Sequence, residues 1–146
     1  MSFFTSMKIS SSALAAQRIR MNLLSTNLAN VQSTKGDDNG PYRRRDVVFS
    51  AMPIGESFED ILDPNTGTPL RKVQVVEIHK DTSAPRRIYN PSHPDADPKT
   101  GIVEMPNVQV MTEMVNMIAA TRAFEANTTA MNQAKQMAIK SLEIGK

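Results

Sequence analysis

Residues 6–31 read SMKISSSALAAQRIRMNLLSTNLANV, and the spacing within this stretch decides the fold. Met7, Leu14, Met21 and Leu28 recur every seventh residue, with Leu24 and Val31 in the intervening position of a heptad, so the segment predicts a helix with one long packing face. Ile9, Ala16, Ile19 and Leu23 form a second apolar line at about 100° per residue on a roughly opposite side. A single partner element cannot cover both lines.

Working outward, helix breakers are segregated. All nine prolines lie between Pro41 and Pro106, and neither Gly nor Pro occurs in residues 1–35 or 107–144. Both ends are therefore free to run as long helices while the middle turns repeatedly. In the C-terminal segment Val110, Met117, Phe124, Met131, Ala138 and Leu142 form a seam, flanked by Met114, Ala120 and Ala134, and Met111, Val115 and Ile118 make a shorter second stripe. Pro106 and Asn107 read as its N-terminal cap, and Gly145 as its left-handed terminal turn. Extended segments are expected at residues 44–49, 71–80, 86–89 and 102–105, and loops at 52–69 and 90–101.

The expected fold is thus mainly α with a small β-rich lobe, its N- and C-terminal helices antiparallel in a coiled-coil layer. The expected organisation is residues 1–35 and 107–146 as the helices of an inner domain and residues 36–106 as an outer lobe. Met7, Leu14, Met21 and Leu28 are expected to pack on Met117, Phe124, Met131 and Leu142, within the chain or across adjacent chains. Fully burying a Leu, Ile or Met contributes about 1.5–3 kcal/mol, against about 1–2 kcal/mol of backbone entropy per ordered residue, so a solitary two-helix hairpin is marginal. The second stripes call for neighbouring subunits.

Composition narrows the chemistry. The 146 residues include ten Met, no Trp and no Cys, and only 5% are aromatic, which suits flexible helix seams and excludes disulfides, thiolate metal sites and cysteine nucleophiles. The formal charge is +2, but residues 1–35 hold Lys8, Arg18, Arg20 and Lys35 with no acid, while the middle is acid-rich. No continuous apolar run reads as a secretory leader or a membrane span, so no membrane insertion is expected. A Ser-rich, acid-free start also fits a transit peptide, at the cost of discarding one of the two best helices.

The strongest chemical cluster is His93, Asp95 and Asp97, an imidazole and two carboxylates at alternate positions, but prolines interrupt it and a rigid polar loop explains it without a metal. Arg43, Arg44 and Arg45, with Arg86 and Arg87, read as solvent-facing strand residues or contacts to acidic partners rather than a nucleic-acid site. No catalytic triad, phosphate loop or paired metal-ligand helix is present, so no enzyme, cofactor, small-molecule substrate or nucleic acid is expected.

Ser25, Thr26, Asn27, Leu28, Ala29, Asn30 and Val31 resemble the S-x-N-x-A-N motif of bacterial flagellar rod and hook proteins. The run from Glu113, Met114, Val115, Asn116, Met117 and Ile118 to Thr121, Arg122, Ala123, Phe124, Glu125, Ala126 and Asn127 is similar to that family's second terminal motif. Within the family, Gly40 to Arg44, Tyr89 to Asp95 and Met105 to Val108 look like the proximal rod type, although an acidic insert separates Gly36 from Tyr42. The resemblance implies a structural subunit of the flagellar basal-body rod in the periplasm, exported by the flagellar type III apparatus and polymerising with itself and other rod proteins into a torque-transmitting shaft. Its subunit-interface residues would be Met7, Leu14, Met21, Leu24, Asn27, Leu28, Asn30 and Val31 on the first helix, and Val110, Met114, Met117, Arg122, Phe124, Asn127, Met131 and Leu142 on the second. The rival reading is a cytosolic helical adaptor that holds a partner helix in its apolar grooves.

Overall fold

A computed structural model describes residues 3–36, 40–54 and 70–144. The described elements run α1 (Phe3–Ala29), β1 (Arg45–Pro53), β2 (Arg71–Lys80), β3 (Arg86–Tyr89), β4 (Ile102–Met105) and α2 (Val110–Ile144). They belong to two compact units, one of Met1–Ile19, Val48–Glu77 and Ala120–Lys146, the other of Arg20–Val47 and Ile78–Ala119. The Gly145 cap and the loops around Asp37 and Asp63 lie outside the described residues.

Both helices are shorter than the breaker-free segments allow, for local hydrogen-bonding reasons. α1 stops at Ala29, where Asn30 and Ser33 bond the local backbone: Asn30 Nδ2 donates to the Thr26 carbonyl at 2.9 Å, and the Ser33 amide reaches back three residues to the Asn30 carbonyl at 3.1 Å. α2 begins at Val110, not at the position after an Asn107 cap. Its first turn closes when the Glu113 amide donates to the Gln109 carbonyl at 3.0 Å, while Pro106 and Val108 are buried upstream of the helix.

In the first unit, α1 lies against β2. The Ser12 hydroxyl donates to the Ile9 carbonyl at 2.7 Å and accepts the Val73 amide at 3.2 Å, so a single side chain joins a helix carbonyl to a strand amide. Ser12, Ala15, Ala16 and Ile19 share a groove with residues 72–75, and Ala16 is buried. The second stripe of α1 is therefore covered in part by the chain's own strand, so at Ala16 no neighbouring subunit is needed to bury it. β1 pairs with β2, the Ile54 amide meeting the Leu70 carbonyl at 2.9 Å, so β1 extends through Pro53 into the stretch expected to be loop.

In the second unit, β3 and β4 pair antiparallel with Arg86 opposite Met105, Arg87 opposite Glu104, Ile88 opposite Val103 and Tyr89 opposite Ile102. Val103 is buried and anchors this ladder. The connecting loop closes tightly: the Asn90 amide donates to the Gly101 carbonyl at 2.9 Å and the Gly101 amide to the Asp97 carbonyl at 2.8 Å. Gly101 has φ +66°, a conformation that favours glycine, and a Cβ there would sit 2.9 Å from the exposed Tyr89 ring, which would have to shift.

The buried face of α2 keeps Met117, Ala120, Phe124, Met131, Ala134 and Ala138 of the expected seam and adds Glu113 and Asn127. Glu113, Ala120 and Ala134 are buried, and Met117, Phe124, Asn127, Met131 and Ala138 are half-buried, four and three residues apart in alternation. Val110 and Leu142 of the seam, and Met114 beside it, are exposed in the single chain.

Candidate functional site

The second unit closes around a buried polar node. Asn27, wholly inaccessible, projects from the last turns of α1 and uses its full hydrogen-bonding capacity. Its Nδ2 donates to the Arg45 carbonyl at 2.8 Å and to Glu113 Oε2 at 3.0 Å, and its Oδ1 accepts the Tyr42 hydroxyl at 2.8 Å and the Arg45 amide at 3.0 Å. One side chain thus ties together α1, the start of β1 and the first turn of α2.

Glu113, 1% exposed, is the node's charge. Its other oxygen accepts Arg44 Nε at 2.7 Å, and an Arg44 terminal nitrogen reaches Asp46 at 3.0 Å. Burial on its own lowers the affinity of the Arg44 guanidinium for its proton, but the hydrogen bond and charge of Glu113, reinforced by Asp46, outweigh it and hold the group above its ordinary value. A buried carboxylate is tolerable only when paired and hydrogen-bonded, and this one is both. The Arg45 guanidinium lies 5.8 Å from the Tyr42 ring centroid, adding a cation–π contact. Arg44 accordingly points inward to Glu113, correcting its reading as a solvent-facing strand residue.

The same first turns of α2 present an apolar stripe to solvent. Met111 is 73% exposed, Val115 61% and Ile118 63%, with Met114 also exposed beside them. Spaced four and three residues apart, they form one helix face, roughly opposite the face that carries Glu113.

The interface residues expected from sequence divide by environment. Leu24 and Asn27 are buried within their own subunit. Met7, Leu14, Met21, Leu28, Asn30, Val31, Met117, Phe124, Asn127 and Met131 are half-buried, whereas Val110, Met114, Arg122 and Leu142 are exposed. Of the motif polars, Asn27 reaches the other terminal segment. Asn127 Nδ2 donates to the Ala123 carbonyl of its own helix at 2.8 Å, and Arg122 meets Glu125 of its own helix at 3.5 Å.

The loop carrying His93, Asp95 and Asp97 uses its carboxylates internally. Asp95 accepts from Thr34 Oγ1 at 2.8 Å and pairs with Lys35, while Asp97 accepts the Lys99 amide at 3.0 Å and the Thr100 hydroxyl at 2.8 Å. Lys35 first, then Thr34, hold the Asp95 carboxyl below its ordinary value, and the Lys99 amide and Thr100 do the same for Asp97. Among the described residues no group of three metal-ligating side chains converges.

Comparison with known proteins matches the two ends of the chain separately. Residues 7–36 fit the family profile described as flagella basal body rod protein, and residues 99–144 fit the profile described as flagellar basal body rod FlgEFG protein C-terminal. The matched stretches contain the two partners of the node, Asn27 and Glu113, and define the class as a flagellar basal-body rod protein. Over full length, the chain is 44% identical to flagellar basal-body rod protein FlgC of Bacillus subtilis, with 100% of both chains covered. It is 41% identical to FlgC of Borreliella burgdorferi, over 99% of this chain and 98% of that one, and 38% identical to FlgC of Salmonella typhimurium, over 94% and 93%. The chain belongs to the FlgC family. It is a structural protein of the flagellar basal-body rod and not an enzyme.

Proposed function

We propose that the chain polymerises with itself and with other rod proteins into the proximal segment of the rod and carries torque through packed interfaces. Residues 1–35 and 107–146 supply an inner layer of antiparallel helices in coiled-coil contact, and residues 36–106 an outer lobe. The subunit works in the periplasm, delivered there by the flagellar type III apparatus. Chemistry plays no part in this role.

The observation that carries the reading is the exposed stripe of Met111, Val115 and Ile118 on a helix whose opposite face is already locked by Glu113. Burying these three side chains from their present exposure contributes about 3–6 kcal/mol, at about 1.5–3 kcal/mol for each complete burial. Association costs an estimated 4–15 kcal/mol in lost freedom, so one such contact does not hold a dimer in dilute solution. A subunit that repeats the contact with several neighbours passes that threshold, and heterologous contacts that do not close a ring build an open helix.

The test is Val115→Glu with Ile118→Glu. Both positions are exposed, so the purified variant should unfold within about 0.5 kcal/mol of wild type, yet give no recoverable rods and no motility. Normal rods from this variant would remove the stripe from the assembly.

A further inference from the structure

A second surface lies in the first unit and is independent of the α2 stripe. The N-terminal half of α1 and the β1–β2 pair enclose a groove of about 550 Å³. Phe4, Met7, Ala15 and Ile54 supply apolar lining, with Lys8 contributed by α1 and Lys72 by β2. No carboxylate lines the groove among the described residues, and residues 1–35 contain no Asp or Glu at all.

We propose that this groove docks an acidic amphipathic helix of a partner protein. Four features fit that occupant. The α1 wall runs from Phe4 to Ala15, about 16 Å at 1.5 Å per residue, which is the length of three turns of an opposing helix. The volume falls within the roughly 300–1,000 Å³ typical of occupied clefts, and apolar anchors at helical spacing fill a groove of this form. A lysine on each of two elements, with apolar lining between, selects an apolar stripe flanked by Glu or Asp and repels a basic helix. Phe4 is 71% exposed, its ring held edge-on to Phe3 with centroids 5.5 Å apart, so a large apolar anchor is uncovered in the isolated subunit.

The experiment uses the full chain and a synthetic amphipathic peptide with Leu and Phe at helical spacing and Glu at the flanking positions, titrated calorimetrically. Binding should weaken with salt, and about tenfold in the Lys8→Glu, Lys72→Glu double variant. A matched peptide with Lys in place of Glu should bind that variant better than the wild type. Lys135→Glu with Lys140→Glu, the same charge change on exposed positions of α2, should leave affinity unchanged, and circular dichroism verifies that each variant folds. The proposal is overturned if the acidic peptide does not bind, if the α2 lysine pair weakens it equally, if the charge-swapped pair shows no gain, or if a proline in the middle of the peptide leaves binding intact. Because Val115 and Ile118 lie outside this groove, either surface can fail without the other.

Discussion

Replacing Asn27 with Ala removes a side chain that makes four hydrogen bonds at zero exposure. A net contribution of about 1 kcal/mol per bond gives about 4 kcal/mol, and the groups left behind decide the margin. The Arg45 amide and carbonyl both lose their Asn27 contact, and Glu113 keeps Arg44 but loses the donor on its second oxygen. Water entering the vacated space offsets part of this, so the expected loss is about 3–5 kcal/mol. Asn27→Asp should be no better, because a second carboxylate would face Glu113 at the present 3.0 Å contact. The assay is urea unfolding of the purified chain followed by far-UV circular dichroism, with an unchanged m-value confirming that stability alone has shifted. Ser25→Ala, exposed on the same turn, is the internal control and should change stability by less than about 0.5 kcal/mol. A cycle with Glu113→Gln should show coupling of about 1–2 kcal/mol. A loss below about 1.5 kcal/mol for Asn27→Ala, or strict additivity in the cycle, would refute the node as the joint of the second unit.

Two further outcomes follow from the loop between β3 and β4. Gly101→Ala should cost about 1–2 kcal/mol because of its positive φ and the Tyr89 contact, whereas Gly40→Ala, where nothing lies within 4 Å of the added methyl, should be neutral or slightly stabilising; urea midpoints of the two variants compare them directly. Asp95 is held below its ordinary value of 3.8 by Lys35 and Thr34, so its contribution is present above that value and is lost as pH falls through the lower folded value. Acid titration should therefore release Thr34 from the loop, seen as faster amide exchange there, and Asp95→Asn should abolish that acid-dependent step. An unchanged pH profile in the variant would exclude the pairing as its source.

The strands were legible in the sequence because their signals are local. Residues 71–80, 86–89 and 102–105 are bounded by turn-forming residues, and the structure starts and stops there. Helix existence was legible for the same reason, but helix ends were not, because Asn30 and Gln109 terminate them through hydrogen bonds that composition does not register. The site was less visible. Apolar spacing passed from Val110 to Met117 over Glu113, since a charged residue does not read as a core position. Its burial depends on Asn27, 86 residues away in the chain, and on Arg44, 69 away, and neither dependence leaves a periodic trace. The clues were that Asn27 and Glu113 each fall in one of the two terminal motifs, and that Glu113 is the sole acid between residues 107 and 124, set at the start of a long apolar helix.

Because Asn27, Arg44 and Glu113 come from three separate stretches, the second unit behaves as a coincidence lock. No two of the three complete the seal without the third, because Glu113 takes one partner on each carboxylate oxygen. A fragment that ends before Glu113, or begins after Asn27, should leave the remaining members solvated and this unit open.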